Sequence, residues 1–343
     1  MTMILRNVSV LVAVLVFSVS LAALPRELNI YWIDMDGGAA TLIVAPSGES
    51  LLIDTGIPEQ TQVKRIYDVA TNVAHLKRLD YVLITHYHGD HVGGLPALSK
   101  MIPIGRYLDH GDLTLETEKP NQMKVWNAYK AVADGNRTTM HAGDTIPLKG
   151  VHITVVSAAG VAITRPINGG GPNAFCKDAP LKNPDQDPEN GSSVGTLLTY
   201  GKFRFVDLGD LPWYQEQQLA CPVNMIGTVD VYQTTHHGLA RSGSPQLVWA
   251  LQPRVAVMND GPGHGGDPST FETLRKSPGL EDLWQVHFAP KTDKALQSDE
   301  KMIANMGPIE GCQGNWIRVT VKANGKYTVT NSRNNFSKSY TPR

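Results

Sequence analysis

Alternating apolar and polar positions predict β-strands at both ends of the chain. Near the N-terminus three such runs follow one another, with a Ser-Gly turn between the second and the third, which predicts an antiparallel sheet. Near the C-terminus residues 315–330 form two alternating runs around Asn324-Gly325, a dipeptide typical of tight hairpins. The N-terminal runs cover residues 28–34, 41–46 and 51–54.

Helical periodicity and buried strands alternate between these ends. The pattern predicts helices over residues 60–73 and 123–133 and strands over residues 81–85 and 151–157. Residues 160–192 break the pattern with clustered glycines and prolines and exceed the usual length of a connection. We interpret this segment either as a cover over a functional site or as a plain surface insertion.

The composition is that of a globular protein. Of its 343 residues, 41% are hydrophobic and 18% are charged, which allows a sizeable core in one large domain or two small ones. The net charge of −1 shows no global basic field, so nucleic acid is permitted as a partner but not indicated. The sequence does not indicate an oligomeric state.

The first residues have the features of a signal peptide. Arg6 precedes an apolar run from Val8 to Ala23 that ends in small residues. We therefore predict cleavage of residues 1–23, export to the periplasm or the medium, and one domain over residues 24–343. The run is short for a membrane span, so an uncleaved anchor is the less favoured alternative, and no other stretch is apolar enough to span.

The three cysteines, Cys176, Cys221 and Cys312, stand far apart without a C-x-x-C spacing. In an exported protein one pair can be oxidised, which leaves one thiol. The sequence does not indicate which pair.

Three imidazoles and a carboxylate stand within six residues, directly after a strand-like run. His86 and His88 project from the same side of an extended strand, whereas Asp90 and His91 follow the turn at Gly89. Imidazole and carboxylate are ligands that Zn²⁺ accepts, and an open coordination position lowers the pKa of bound water to about 7. The segment predicts two adjacent cation sites; a solvated His-rich loop is the alternative.

This H-x-H-x-D-H pattern resembles the signature of the metallo-β-lactamase superfamily. The likeness extends upstream to the run 51–56 and downstream to Gly93-Gly94-Leu95, and spans about residues 28–290. The resemblance implies an α/β (α+β) fold, namely an αββα sandwich of two mixed sheets packed face to face with helices outside. The metals are then expected at one edge, where strand ends meet.

The resemblance also implies the remaining ligands. Asp210, at the end of the run 203–210, corresponds to the bridging carboxylate of the family. His236, first past the next strand, corresponds to its last His, with His237 as neighbour or substitute. One metal would lie on the two histidines of the H-x-H pair and the other on Asp90, His91 and His236. The implied metal ligands are His86, His88, Asp90, His91, Asp210 and His236.

One feature of the family is absent. Most members place a third His for the first metal before the Gly-Asp strand, but here the segment 190–195 contains Ser192 and Ser193 and no His. The first metal is therefore expected to be weakly held, with these serines hydrogen-bonding nearby. This departure, the His-His-Gly turn and His264 after Asn259-Asp260 resemble the branch related to the hydrolase domain of DNA-uptake competence proteins.

Two further residues have expected roles around the metals. Asp54 is expected to orient a ligand His, since metal-bound imidazoles donate their other N–H to a carboxylate or carbonyl. His264 is a candidate catalytic or substrate-contacting residue, as is Asp90 for moving a proton. The remaining histidines, expected to be structural or exposed, are His75, His110, His141, His152 and His287.

The implied activity is hydrolysis by a hydroxide held on one or two Zn²⁺ ions, with Mn²⁺ as another possible metal. Resemblance to the competence-related branch favours a phosphodiester substrate. The alternative is a small molecule with a cyclic ester or amide, a lactone or a β-lactam. A second alternative is a degenerate metal-binding protein without turnover.

Overall fold

The computed structural model describes residues 27–113, 119–177 and 187–343. The predicted signal peptide lies outside these ranges, as does part of the long segment 160–192. Within the described ranges no helix combines the length and apolar character needed to cross a membrane.

Twenty strands and eight α-helices are formed within the described residues. The strands are β1 (Leu28–Trp32), β2 (Thr41–Val44), β3 (Ser50–Ile53), β4 (Leu79–Leu83), β5 (Ile104–Asp109), β6 (Arg137–Thr139), β7 (Thr145–Ile146), β8 (His152–Ala158), β9 (Val161–Ala162), β10 (Gly171–Pro172), β11 (Gly195–Tyr200), β12 (Phe203–Asp207), β13 (Val223–Asn224), β14 (Val231–Gln233), β15 (Val255–Met258), β16 (Asp282–His287), β17 (Ile303–Asn305), β18 (Ile317–Val321), β19 (Tyr327–Asn331) and β20 (Ser337–Tyr340). The helices are α1 (Gln60–Asp68), α2 (Gly89–Val92), α3 (Leu95–Leu98), α4 (Pro120–Ala133), α5 (Pro188–Gly191), α6 (Trp213–Ala220), α7 (Pro245–Leu251) and α8 (Pro268–Arg275).

Two large mixed sheets form the centre of the fold. The first has the order β20-β19-β18-β1-β2-β3-β4-β5-β6, parallel from β3 to β6 and antiparallel elsewhere. The second has the order β17-β16-β15-β14-β12-β11-β8-β7, with β9 beside β8, and is parallel from β12 to β17. A separate two-stranded pair joins β10 to β13. The predicted N-terminal antiparallel strands and the C-terminal hairpin are confirmed.

The apolar faces of the strands determine how the two sheets pack. Along β1, Leu28, Ile30 and Trp32 point into a core shared with Phe205 and Trp284 of the second sheet, so the sheets pack face to face. In β18 the alternation is sharp, since Arg318 and Thr320 are partly exposed between buried apolar neighbours.

Helices cover the outer faces of both sheets. Ile66 of α1 and Trp126 of α4 pack with the outward apolar residues of the first sheet. Leu219 of α6, Leu247 of α7 and Phe271 of α8 do the same for the second sheet. This arrangement is the predicted αββα sandwich.

The parallel strands of both sheets end at one edge. Asp54 follows β3 and the H-x-H-x-D-H segment follows β4, while Asp210 follows β12 and the His-His pair follows β14. A backbone hydrogen bond of 2.9 Å from Val194 N to Thr85 O joins the two sheets at this edge. Loops from two separate sheets therefore meet where polar side chains are concentrated.

A disulfide joins Cys176 to Cys221, with Cα atoms 5.7 Å apart, and leaves Cys312 as a free thiol. The bond ties the long segment 160–192 to the end of α6. It spans a sequence separation of 45 residues, for which the chain-entropy relation gives a stabilisation of about 4 kcal/mol.

Replacing both bonded cysteines by serine should lower the free energy of unfolding by about 2–4 kcal/mol, because the unfolded chain regains the freedom of the closed loop. Urea unfolding measures the change. A reductant should destabilise the wild-type protein and leave the Cys176→Ser/Cys221→Ser variant unchanged. Equal stability of the two oxidised proteins would contradict the prediction.

Candidate metal centre

The turn after β3 fixes the imidazole of His91. Asp54 follows the strand with a φ of 60°, in the left-handed region where a short polar side chain is tolerated. Its buried carboxylate accepts hydrogen bonds from Thr85 N at 2.8 Å and from His91 Nδ1 at 2.7 Å. Because Nδ1 of His91 carries the donated proton, Nε2 of the neutral ring presents a lone pair.

The hydrogen-bond network also assigns the tautomers of His86 and His88. Thr85 Oγ1 donates to Asp54 Oδ2 at 2.7 Å and therefore accepts from His86 Nδ1 at 3.0 Å. His88 Nε2 donates to the Asp187 carboxylate, 3.3 Å away. The two atoms left without a proton, His86 Nε2 and His88 Nδ1, face each other at 3.0 Å.

A second pair of lone pairs meets between His91 and His237. His237 Nδ1 donates to the backbone carbonyl of Asn259 at 3.2 Å, because a carbonyl can only accept. Its Nε2 faces His91 Nε2 at 3.1 Å. Asp210 lies beside both, with Oδ2 3.2 Å from His91 Nε2 and Oδ1 3.5 Å from His237 Nε2. Acceptors that face acceptors around one point fit a divalent cation such as Zn²⁺.

Asp90 completes a group of four around that point. One ligand atom from each of Asp90, His91, Asp210 and His237 lies within 4.8 Å of the others. Asp90 Oδ2 stands 3.8 Å from His237 Nε2 and 4.0 Å from His91 Nε2. Two carboxylates and two imidazoles are a donor set that borderline divalent metals accept.

His236 and His237 both reach the carboxylate of Asp210. His236 Nε2 lies 3.2 Å from Oδ2, the oxygen that is also 3.8 Å from His86 Nε2. The sequence pattern favours His236 beside Asp90 and His91, with His237 as neighbour or substitute, and in the structure it is His237 that lies in one group with them. The physical reason is the backbone: both histidines have positive φ, 57° and 54°, so they form a left-handed turn and not an extended strand end.

The carboxylates and imidazoles of the centre shift one another's pKa values in directions that favour a bound cation. Burial raises the pKa of Asp210, but the imidazoles of His91, His236 and His237 outweigh it and hold that pKa well below its usual range. Burial lowers the pKa of His91, but Asp210 and Asp54 outweigh it and raise that pKa well above its usual range. The carboxylates thus draw a proton onto His91. A divalent cation supplies the same positive charge, and its binding releases the proton.

Two of the imidazoles are kept neutral. Burial, with the neighbouring His91 and His88, holds the pKa of His86 well below its usual range. Burial lowers the pKa of His236 to about 4. Neutral imidazole is the form that ligates metals, so both rings are ready for a cation at neutral pH.

The other residues that the sequence analysis predicts near the metals lie at different distances from the centre. Ser193 Oγ accepts a hydrogen bond from Asp210 N at 3.2 Å and so holds the backbone of that residue. Ser192 Oγ donates to the carbonyl of Pro188 at 3.2 Å instead. His264, partly exposed, packs against the His237 ring and places Nε2 3.8 Å from Asp90 Oδ2. His264 therefore stands at the mouth of the centre.

Glu189 stabilises the centre, although no sequence motif predicts this role. Its buried carboxylate accepts from Tyr87 N, between the two histidines of the H-x-H pair, at 2.7 Å and from His110 Nε2 at 2.9 Å. Asp187 begins the short helix that carries it, with Oδ1 accepting from Glu189 N at 3.2 Å. The Asp-Pro pair at 187–188 indicates the start of a helix. It does not indicate the contact to Tyr87, because that residue lies far away in the sequence.

Glu189→Gln should weaken cation binding about 10–100-fold. The side chain at position 189 would lose the negative charge that strengthens its hydrogen bond to the backbone of Tyr87, between the two ligand histidines. Zinc titration against a competing chelator measures the affinity. Asp230→Asn is a matched control: its buried carboxylate accepts from Arg204 N at 2.8 Å and Arg343 N at 3.1 Å, away from the histidines. Equal zinc affinities for both variants would count against a positioning role for Glu189.

Comparison with known proteins relates part of the chain to a known family. Residues 33–164, which include the signature histidines, match the sequence model described as Metallo-beta-lactamase superfamily. This segment, less than half of the chain, is similar to the metallo-β-lactamase superfamily. The superfamily consists of metal-dependent hydrolases.

Three relatives extend the comparison. The chain is 25% identical to Recombination protein 2 of Haemophilus influenzae over 233 residues, 67% of this chain and 24% of that protein. It is 25% identical to ComE operon protein 3 of Bacillus subtilis over 192 residues, 54% of this chain and 20% of that protein. A shorter match joins it to Atrochrysone carboxyl ACP thioesterase of Aspergillus terreus, 43% identical over 70 residues, 19% of this chain and 20% of that protein.

The first two matches are consistent with the competence-related branch of the metallo-β-lactamase superfamily. The chain spans about a quarter or less of the length of these curated relatives.

Proposed function

We propose that the metallo-β-lactamase domain is a two-cation phosphodiesterase. One cation is held by His86, His88 and His236, with Asp210 Oδ2 beside them. The other is held by Asp90, His91 and His237, with Asp210 shared between the two ions. His236 thus takes the place of the third His that the segment before the Gly-Asp strand lacks.

The facing lone pairs carry this proposal. His91 Nε2 and His237 Nε2 are 3.1 Å apart, and the other nitrogen of each ring is engaged by an acceptor. Without a metal, a proton has to lie on one of these nitrogens, in line with the raised pKa values of His91 and His237, and a divalent cation can replace that proton. A cation there satisfies both imidazoles and both neighbouring carboxylates at once.

Bound divalent cations supply hydroxide at neutral pH and stabilise negative charge that develops during hydrolysis. The residues of the chain hold and orient the reacting groups around them. The Asp90 side chain is partly exposed and lies beside His264, so it can accept a proton at the mouth of the centre. Asp54 and the Asn259 carbonyl keep the two ligand rings in one tautomer.

Divalent cations support an anionic substrate. Ions held by the group of Asp90, His91, Asp210 and His237 would bind and polarise the phosphoryl oxygens of a diester. The similarity to Recombination protein 2 and ComE operon protein 3 supports the same substrate class.

The shorter match to a thioesterase favours a second candidate, hydrolysis of an acyl compound such as a lactone or a β-lactam. The metals are the same in both cases. The two candidates differ in whether the attacked centre is phosphorus or a carbonyl carbon.

A substrate panel separates these candidates. Zinc- or manganese-loaded protein is assayed with a chromogenic phosphodiester, a lactone, a β-lactam and a thioester, beside Asp210→Asn protein purified in the same way. We expect turnover of the diester that the variant lacks. Turnover of the acyl compounds alone would replace the proposal with the second candidate, and no turnover by metal-loaded protein would contradict both.

We also propose that the protein is exported. The Cys176–Cys221 disulfide is typical of an oxidising compartment.

A further inference from the structure

A second group of metal-ligand side chains lies outside the hydrolytic centre. Asp34 and Asp36 follow β1, His287 ends β16, and Cys312 lies in the segment before β18. One ligand atom from each lies within 4.8 Å of the others. The first three residues are buried and Cys312 is half-buried. We call these four residues the thiol cluster.

His287 points an unsatisfied lone pair into the thiol cluster. Its side chain is 1% exposed. Nδ1 donates to the backbone carbonyl of Phe288 at 3.2 Å, which leaves Nε2 of the neutral ring as an acceptor. Nε2 has no hydrogen-bond partner among the described residues. Buried polar atoms are nearly always paired, so an atom of this kind indicates a missing ligand.

The charges of the thiol cluster are unbalanced without a cation. Arg65 Nη1 lies 3.1 Å from Asp34 Oδ2 and 3.2 Å from Asp36 Oδ1, so one guanidinium faces two buried carboxylates. Cys312 Sγ stands 3.1 Å from the same Asp34 oxygen. Two carboxylates and a thiolate carry three negative charges, which Arg65 and one divalent cation balance.

The thiol is protonated until a cation displaces the proton. Burial and the nearby Asp34 raise the pKa of Cys312 to about 11. A bound metal deprotonates a coordinating thiol and the proton passes to solvent, so cation binding and thiolate formation are coupled.

We propose that Asp34, Asp36, His287 and Cys312 form a structural binding site for one divalent cation of borderline softness, such as Zn²⁺. Two oxygens, one nitrogen and one sulfur are a donor set that Zn²⁺ accepts in four-coordinate sites. This inference does not depend on the proposed phosphodiesterase activity.

The site would brace a loop of the hydrolytic centre. Gly37 and Gly38 directly follow the two aspartates, and a Cβ at Gly37 would lie 2.7 Å from the Cβ of His264. Ala39 N donates to the carbonyl of Asp90 at 3.0 Å. A cation in the thiol cluster would therefore tie this loop to β16 and to the C-terminal segment.

Cobalt substitution tests the site, because a thiolate bound to Co²⁺ gives a charge-transfer absorption in the near ultraviolet. Cys176 and Cys221 are joined in a disulfide, so Cys312 is the thiol that can give it. We expect the band in wild-type protein and in Asp210→Asn protein, which has an impaired hydrolytic centre, and its loss in Cys312→Ser protein. Absence of the band from wild-type protein, or its survival in Cys312→Ser protein, would overturn the proposal.

A thiol titration needs no cysteine variant. Zn²⁺ should slow the reaction of Cys312 with a thiol reagent by at least about tenfold, since a coordinated thiolate is shielded from the reagent. The same protection is expected in Asp210→Asn protein and its loss in His287→Ala protein. Equal rates with and without Zn²⁺ in the wild type, or protection that depends on Asp210 and not on His287, would contradict a cation site here.

Discussion

Asp210→Asn should lower hydrolysis by at least about a thousandfold and remove cations from the hydrolytic centre. Asp210 contacts both sides of the centre: Oδ2 lies 3.2 Å from His91 Nε2 and from His236 Nε2, and Oδ1 lies 3.5 Å from His237 Nε2. The neutral amide keeps the size of the side chain but removes the charge that balances the cations. It also turns an N–H₂ group toward imidazoles or metals that need an acceptor.

The fold should survive this substitution, because the inter-sheet core and the two helix-covered cores do not include Asp210. Activity and bound zinc are measured on the same preparation, with circular dichroism as the test of folding. Asp230→Asn, directly before β14, serves as the buried-carboxylate control and should keep both properties. Activity of Asp210→Asn within tenfold of the wild type would remove this residue from the centre.

His237→Ala and His236→Ala should each remove one cation and lower turnover by at least about a hundredfold. Both imidazoles contact Asp210, but His237 faces His91 whereas His236 shares an oxygen with His86. The two variants should therefore lose different ions. The strand pattern instead predicts that His236 alone of the two binds a cation. In that case the His237→Ala variant would keep both cations.

Elemental analysis of zinc per chain decides this point. His264→Ala is the control, because this partly exposed ring lies at the mouth and contacts Asp90 only at 3.8 Å. The control should keep its zinc and show a lower kcat/KM. Full zinc content in His237→Ala protein would place the ligand at His236 alone, as the sequence pattern predicts.

Much of the fold could be predicted because local patterns determine it. Apolar runs gave β1 to β3 and the hairpin of β18 and β19 within a few residues, and the predicted helix 60–73 contains α1 with a π-helical turn after it. The predicted helix 123–133 begins earlier, at Pro120, because proline is well suited to the first turn of a helix. How the two sheets face each other came from the family resemblance and not from periodicity.

The details of the centre depend on backbone angles and long-range contacts that no local pattern contains. The positive φ of His236 and His237 brings neighbouring rings to one carboxylate, whereas an extended backbone would turn them apart. Glu189 supports Tyr87 across 102 residues of sequence. The partner of Cys176 likewise depends on how the long segment returns to α6.

The hydrolytic cation centre is tested most directly by diffraction from zinc-loaded crystals at the zinc absorption edge. We expect one anomalous peak among Asp90, His91, Asp210 and His237, and a second beside His86, His88 and His236. The first peak should lie between His91 Nε2 and His237 Nε2, whose lone pairs face each other across 3.1 Å. Zinc-loaded crystals without a peak in the group around His91 and His237 would contradict the centre.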